Sequence, residues 1–223
     1  MKAGFTYIIM LLDRSGSMVS LREDTIGGFN SFVEEQRKVP GEAVLTLAQF
    51  DDKFKICYKA LPLAEVPKLT EETFVPRGST ALRDAAARLM ISAGQHLSTM
   101  KEEDRPENVI FVIITDGKEN SSKETPAHIL KEMIDLQTNV YKWQFLFLGA
   151  NMDAALVAQD MGMSGLRYNA TGAGIRSTMD TASSYVGSRR TGNQDAWERI
   201  LKSKDVEDEE AKKASRDFKK TLI

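Results

Sequence analysis

Three uninterrupted apolar runs punctuate the chain: Thr6-Tyr7-Ile8-Ile9-Met10-Leu11-Leu12, Val109-Ile110-Phe111-Val112-Ile113-Ile114 and Trp143-Gln144-Phe145-Leu146-Phe147-Leu148. None alternates apolar with polar residues, and all are rich in β-branched or aromatic side chains, the pattern of strands covered by helices on both faces. Between them, apolar positions recur at helical spacing over residues 24–38, where Ile26, Phe29, Phe32 and Val33 share a face, and over 80–97, 126–137 and 154–161. Residues 43–50 carry Val44, Leu45 and Leu47, and Asp51-Asp52 then leads into 53–60, which predicts a hairpin with an antiparallel edge strand. Weaker signals place a last short strand at 166–169 and a last helix at 175–186. Strand and helix alternate, so the expected class is α/β: a doubly wound, mostly parallel sheet with one antiparallel edge strand and helices on both faces.

Composition narrows the picture. With 223 residues and 42% hydrophobic content, the chain can bury a single continuous core. We expect one domain over residues 1–189. Residues 190–223 form a charged, helix-prone tail, in which Asp205-Val206-Glu207-Asp208-Glu209-Glu210 precedes Lys212, Lys213, Arg216, Lys219 and Lys220. The formal charge of −2, with no segment dense in Lys or Arg before that tail, argues against nucleic acid as a partner. The first apolar run is too short to span a bilayer, is stopped by Asp13 and Arg14, and lacks a small-residue cleavage site, so no membrane segment and no export are expected. Cys57 has no partner for a disulfide, which fits a reducing cytoplasm.

The residues that carry chemistry lie where strands end. Asp13-Arg14-Ser15-Gly16-Ser17 follows the first run, at the carboxyl end of a strand, where open α/β sheets bind their ligands. From such a turn the side chains at 13, 15 and 17 can converge, with Gly16 permitting the backbone to bring both hydroxyls to one side. A second loop, Arg77-Gly78-Ser79-Thr80-Ala81-Leu82, enters a helix, and a third, Thr115-Asp116-Gly117, leaves the central run. In a doubly wound sheet the strands ending at Asp13 and Asp116 are neighbours across the switch point, so the three loops make one site. All five candidates (Asp13, Ser15, Ser17, Thr80 and Asp116) are oxygen donors, which selects Mg²⁺, with Mn²⁺ or Ca²⁺ as alternatives, over Zn²⁺.

The order Asp13-x-Ser15-x-Ser17, then Thr80 in a Gly-Ser-Thr loop, then Asp116 in Thr-Asp-Gly resembles the metal-ion-dependent adhesion site of von Willebrand factor A domains, over roughly residues 5–170. The resemblance implies a Rossmann-like sheet ringed by helices, and a metal whose coordination is completed by a carboxylate of the bound partner. It implies that Ser15, Ser17 and Thr80 hold the ion directly, with Asp13 and Asp116 acting directly or through water. Gly27-Gly28-Phe29-Asn30, Ala48-Gln49-Phe50-Asp51 and Phe147-Leu148-Gly149-Ala150-Asn151 are further similar to small stand-alone bacterial and phage members of that family. The expected function is therefore a metal-dependent protein-binding module whose partner offers an Asp or Glu side chain, and not an enzyme.

Plainer readings exist for each motif alone. Asp13-x-Ser-x-Ser or Thr80 could cap a helix, and Asp116-Gly117 could be a simple turn. Glu119 and Asn120 could shape the rim of the site, while His96 and His128 fall on separate predicted helices, where packing or surface roles are expected. A haloacid-dehalogenase-type phosphatase needs a second Asp where Ser15 stands, and neither a Gly-x-Gly-x-x-Gly turn nor a P-loop follows the first run. A metal-dependent hydrolase, or an assembly subunit without a working metal site, remains the alternative.

Overall fold

The computed structural model of the chain describes residues 1–116, 119–150, 161, 163–167 and 169–193. Its elements run β1 (Lys2–Asp13), α1 (Arg22–Lys38), β2 (Glu42–Phe50), β3 (Phe54–Pro62), α2 (Leu82–Ser98), β4 (Pro106–Thr115), α3 (Ala127–Asn139), β5 (Gln144–Gly149), β6 (Ser164–Arg167) and α4 (Gly172–Arg190). Of the helix expected at 154–161 only residue 161 is described, and the tail from 194 onward lies outside the described residues.

The strands form one six-stranded sheet in the order β3-β2-β1-β4-β5-β6. Every pairing is parallel except β2–β3, the antiparallel hairpin at one edge. Outward winding in both directions from β1 puts the switch point between β1 and β4, as the sequence predicts. β6 begins two residues earlier than its weak signal suggested, pairing Leu146–Gly149 with Ser164–Arg167.

The central strands are apolar throughout because each face has its own helical layer. Ile8, Met10 and Leu12 of β1 join Phe29, Phe32 and Val33 of α1 and Ile175, Met179 and Val186 of α4 in one core. Tyr7, Ile9 and Leu11 point the other way, into a core with Leu82, Ala86, Leu89 and Met90 of α2 and Leu130 and Ile134 of α3. Successive strand side chains alternate faces, so a strand buried twice has no polar face to display. Helices α1 and α4 approach closely at Gly28, where a Cβ would stand 2.7 Å from Met179 Cγ. His96 packs edge-on against Tyr7, their ring centroids 5.8 Å apart. No helix among the described residues is long and apolar enough to cross a membrane.

The long connection between β3 and α2, residues 63–81, carries Thr80 and is strapped to the body. Asn30 of α1 clamps Leu69 with both ends of its amide, donating to the carbonyl at 3.0 Å and accepting from the N–H at 2.8 Å. Gln49 of β2 donates to the Thr73 carbonyl at 3.1 Å, and Arg37 donates to the carbonyls of Leu63 and Val66.

Candidate metal centre

Parallel register sets the first two loops side by side: Leu12 of β1 lies opposite Ile114 of β4, so Asp13 and Thr115 end adjacent strands. The Thr115 hydroxyl donates to Asp13 Oδ2 at 2.5 Å, and the Ser15 N–H donates to Asp13 Oδ1 at 2.6 Å. Asp13 is fully buried, is bonded by Thr115 and Ser15, and fixes the turn that presents Ser15. From there a chain of oxygens crosses to β4. Ser15 Oγ lies 3.1 Å from Ser17 Oγ, and the Ser17 hydroxyl donates to Asp116 Oδ1 at 2.7 Å. Four of the five expected residues are thus joined by direct contacts.

Thr80 joins them through backbone ties instead. Gly16 N–H donates to the Gly78 carbonyl at 3.0 Å, and Arg77 N–H to the Arg14 carbonyl at 2.8 Å, which lays the Thr80 loop on the Asp13–Ser17 turn. From the opposite side Asn120 Oδ1 accepts the Thr80 N–H at 2.9 Å, and the Thr80 carbonyl accepts from the N–H groups of Asn120 and Ser121. Among the described residues no hydrogen bond engages the Thr80 hydroxyl, although the residue is only 3% exposed. The capping explanation for Thr80 does not fit this arrangement. Helix α2 begins at Leu82, and its first amides are met from the β4–α3 loop, Arg83 N–H by Glu119 at 2.9 Å and Asp84 N–H by Ser122 Oγ at 3.2 Å. Nor do Asp13 and Ser15 cap the short 3₁₀ turn of Gly16–Leu21 that follows, since its cap position makes no side-chain bond.

Two side chains near the motifs turn away from the site. Glu119 spends its carboxylate on Arg83, Ser121 and Ser122, so the rim residue is a structural clamp on α2. Arg14, between Asp13 and Ser15, reaches Asp51 at 3.0 Å. Besides this ion pair, Asp51 Oδ2 accepts from Arg77 Nε at 2.9 Å, its Oδ1 accepts from Lys53 N–H at 2.6 Å, and its carbonyl accepts from Ala81 N–H at 3.0 Å. The sequence marks Asp51 only in the hairpin turn and in Ala48-Gln49-Phe50-Asp51, and Thr115 only as the first residue of the Thr115-Asp116-Gly117 loop, with no partner for either. Both pairings join distant loops and leave no periodic signal.

Burial governs the electrostatics. It pushes the Asp13 carboxyl up to about 6, against the bonds from Thr115 and Ser15, and the neighbouring Asp116 charge adds to the rise. Burial likewise raises Asp116, opposed by the Ser17 hydroxyl. Two carboxylates, each less willing to ionise, stand beside a line of hydroxyls, an arrangement that a divalent cation would neutralise. No group of three or more His, Cys, Asp or Glu suited to a metal occurs among the described residues, so a cation here would depend on the hydroxyls. The donor set fits a hard, oxygen-seeking ion. Ser17 is exposed and Asp116 half-buried, so the cluster opens to solvent on their side while Asp13, Ser15 and Thr80 form its floor.

No family model matches the chain, and a search of curated proteins found no match. Solved structures do resemble it. A von Willebrand factor type A protein from Catenulispora acidiphila superposes with a TM-score of 0.56 at 17% identity, over 80% of this chain and 42% of that one. Proximal thread matrix protein 1 from the mussel byssus gives 0.59 at 13% identity, over 83% and 46%. The ArnB paralog VWA2 from Sulfolobus acidocaldarius gives 0.51 at 15%, over 80% and 45%. The chain therefore spans under half the length of each of these proteins. Together with the strand order and its single antiparallel edge, these matches identify the chain as a von Willebrand factor A-like domain in fold.

Proposed function

We propose that this domain is a metal-dependent protein-binding module. Ser15, Ser17 and Thr80 would hold Mg²⁺, or Mn²⁺ or Ca²⁺ in its place, and Asp13 and Asp116 would contribute directly or through water. When bound, the ion supplies an open, positively charged position that attracts an Asp or Glu carboxylate of a partner protein. The observation that carries the reading is the continuous line Ser15–Ser17–Asp116, at 3.1 and 2.7 Å, over a buried Asp13 raised by desolvation. Neutral hydroxyls would hold the ion with few carboxylates in direct contact, leaving it much of its charge, which suits capture of an anionic group from the open side at Ser17 and Asp116. The cluster supplies ligands and lacks a paired base and nucleophile among the described residues, so we read it as a binding device and not a catalytic one. The proposed setting is the cytoplasm, supported by the single free Cys57.

Calorimetric titration with Mg²⁺ tests the site. Wild type should bind one ion, and Asp116→Ala should bind it at least ~10-fold more weakly, because one of two carboxylates is removed. Thr80→Ala should retain weak binding yet lose any partner that EDTA releases from the wild type. Equal titrations for wild type and Asp116→Ala would exclude this site.

A further inference from the structure

We infer that Asp51 is a positioning residue: it latches the Thr80 loop to the Asp13–Ser17 turn and so sets where the Thr80 hydroxyl stands. This rests on reading Thr80 as an ion ligand. Asp51 follows β2 directly, and Phe50 lies opposite Asp13 in register, so Asp51 stands one strand away from the site. Its fully buried carboxylate takes two guanidinium groups on the same oxygen, Arg14 at 3.0 Å from the β1 turn and Arg77 at 2.9 Å from the Thr80 loop. Its carbonyl takes the Ala81 N–H at 3.0 Å. Asp51 therefore grips the Thr80 loop on both flanks, three residues before Thr80 and one after it, while holding the residue between Asp13 and Ser15.

The loop conformation is built for this grip. Gly78 has φ +66, a left-handed conformation that glycine adopts without penalty. A Cβ there would collide with the Asp52 carboxylate and lie 3.5 Å from Asp51 Cβ, so the loop backbone lies directly on the acidic turn. A charge-assisted bond from a fixed, buried carboxylate holds geometry better than one between two mobile surface chains. The Arg77 side chain is 54% exposed, whereas Asp51 is wholly enclosed, so the loop can be freed at Arg77 without opening the core.

The test uses amide exchange without metal and calorimetry with Mg²⁺. In Arg77→Gln the amides of Gly16 and Ala81, which bond to the Gly78 and Asp51 carbonyls, should exchange ~10-fold faster, while that of Arg14, bonded to Phe50, keeps its wild-type rate. Asp51→Asn should free the same two amides if it folds, and Arg77→Gln carries the test if it does not. Mg²⁺ should bind several-fold more weakly to Arg77→Gln than to wild type, and that difference should vanish when both carry Thr80→Ala. A general loss of stability would persist in the Thr80→Ala background, so a persistent difference overturns the inference. Unchanged exchange at Gly16 and Ala81 also overturns it. Absence of any Mg²⁺ heat in wild type would instead sink the metal site, and the exchange rates would still decide the latch.

Discussion

Asp13 and Asp51 end neighbouring strands, both are wholly buried, and the protein treats them in opposite ways. Asp51 is met by two arginines and by a backbone N–H, so its charge is balanced from within the chain. Asp13 receives the Thr115 hydroxyl and the N–H and hydroxyl of Ser15, all neutral donors, with a second carboxylate, Asp116, nearby. Among the described residues Asp51 is paired with cationic side chains, whereas Asp13 is held by neutral donors. A buried carboxylate is costly to keep ionised, and Asp13 at the open end of the sheet is one reason a cation is proposed there.

The contrast is broken most strongly at Asp51. Asp51→Asn leaves Arg14 buried without its counter-charge and should cost about 3–5 kcal/mol in urea unfolding. Asp13→Asn, by contrast, should be neutral or stabilising in EDTA, because the amide keeps an acceptor for Ser15 and sheds the desolvated charge. If the two substitutions cost the same without metal, the distinction fails.

Acidity sharpens the same contrast. The folded protein keeps the Asp13 proton up to about pH 6, whereas the unfolded chain releases it near 3.8. Within that interval the folded state binds more protons, so in EDTA the Asp13 contribution is present at low pH and is lost as pH rises through about 6, by up to about 3 kcal/mol. The measurement is the difference in stability between wild type and Asp13→Asn from pH 4 to 7, which cancels the other carboxylates. With saturating Mg²⁺ the difference should reverse sign above pH 6, because the ion binds the ionised form. A pH-independent difference would place the Asp13 carboxyl in its ordinary range.

Two smaller effects follow. Mg²⁺ at a hundredfold excess over its dissociation constant should stabilise the folded protein by about 2.7 kcal/mol, read as a rise in Tm that Asp13→Asn and Asp116→Ala diminish. Thr80→Ala in EDTA should change stability by no more than about 0.5 kcal/mol, since among the described residues the hydroxyl makes no hydrogen bond and α2 starts beyond it at Leu82. A loss of the size expected for a missing cap would show that Thr80 supports α2 after all.

The strands and the order of the site residues were legible because both are written locally. Doubly buried strands leave unbroken apolar runs, and the candidate residues stand in short motifs, Asp13-x-Ser15-x-Ser17 and Asp116 at strand ends and Thr80 in the loop before α2. The start of α2 was less legible: helical spacing reaches back to Thr80, but the amides of Thr80 and Ala81 are taken by Asn120 and Asp51, and the helix opens at Leu82. Glu119 looked like generic loop polarity because the N–H it satisfies at Arg83 lies far upstream. The Arg14–Asp51–Arg77 cluster was invisible for the same reason, since nothing in the sequence near any of the three marks the others.

The borrowed cap of α2 also has a consequence in time. Asp84 in its first turn accepts from the N–H groups of Lys123, Glu124 and Thr125, while Glu119 and Ser122 return bonds to Arg83 and Asp84. Neither partner is complete without the other, and β4 must be threaded between them before they meet. The start of α2 and the β4–α3 loop should therefore consolidate together and late in folding, with Asp84→Ala accelerating unfolding while leaving the refolding rate nearly unchanged. On that account the Thr80 corner of the site is the last part of the sheet's open end to acquire its shape.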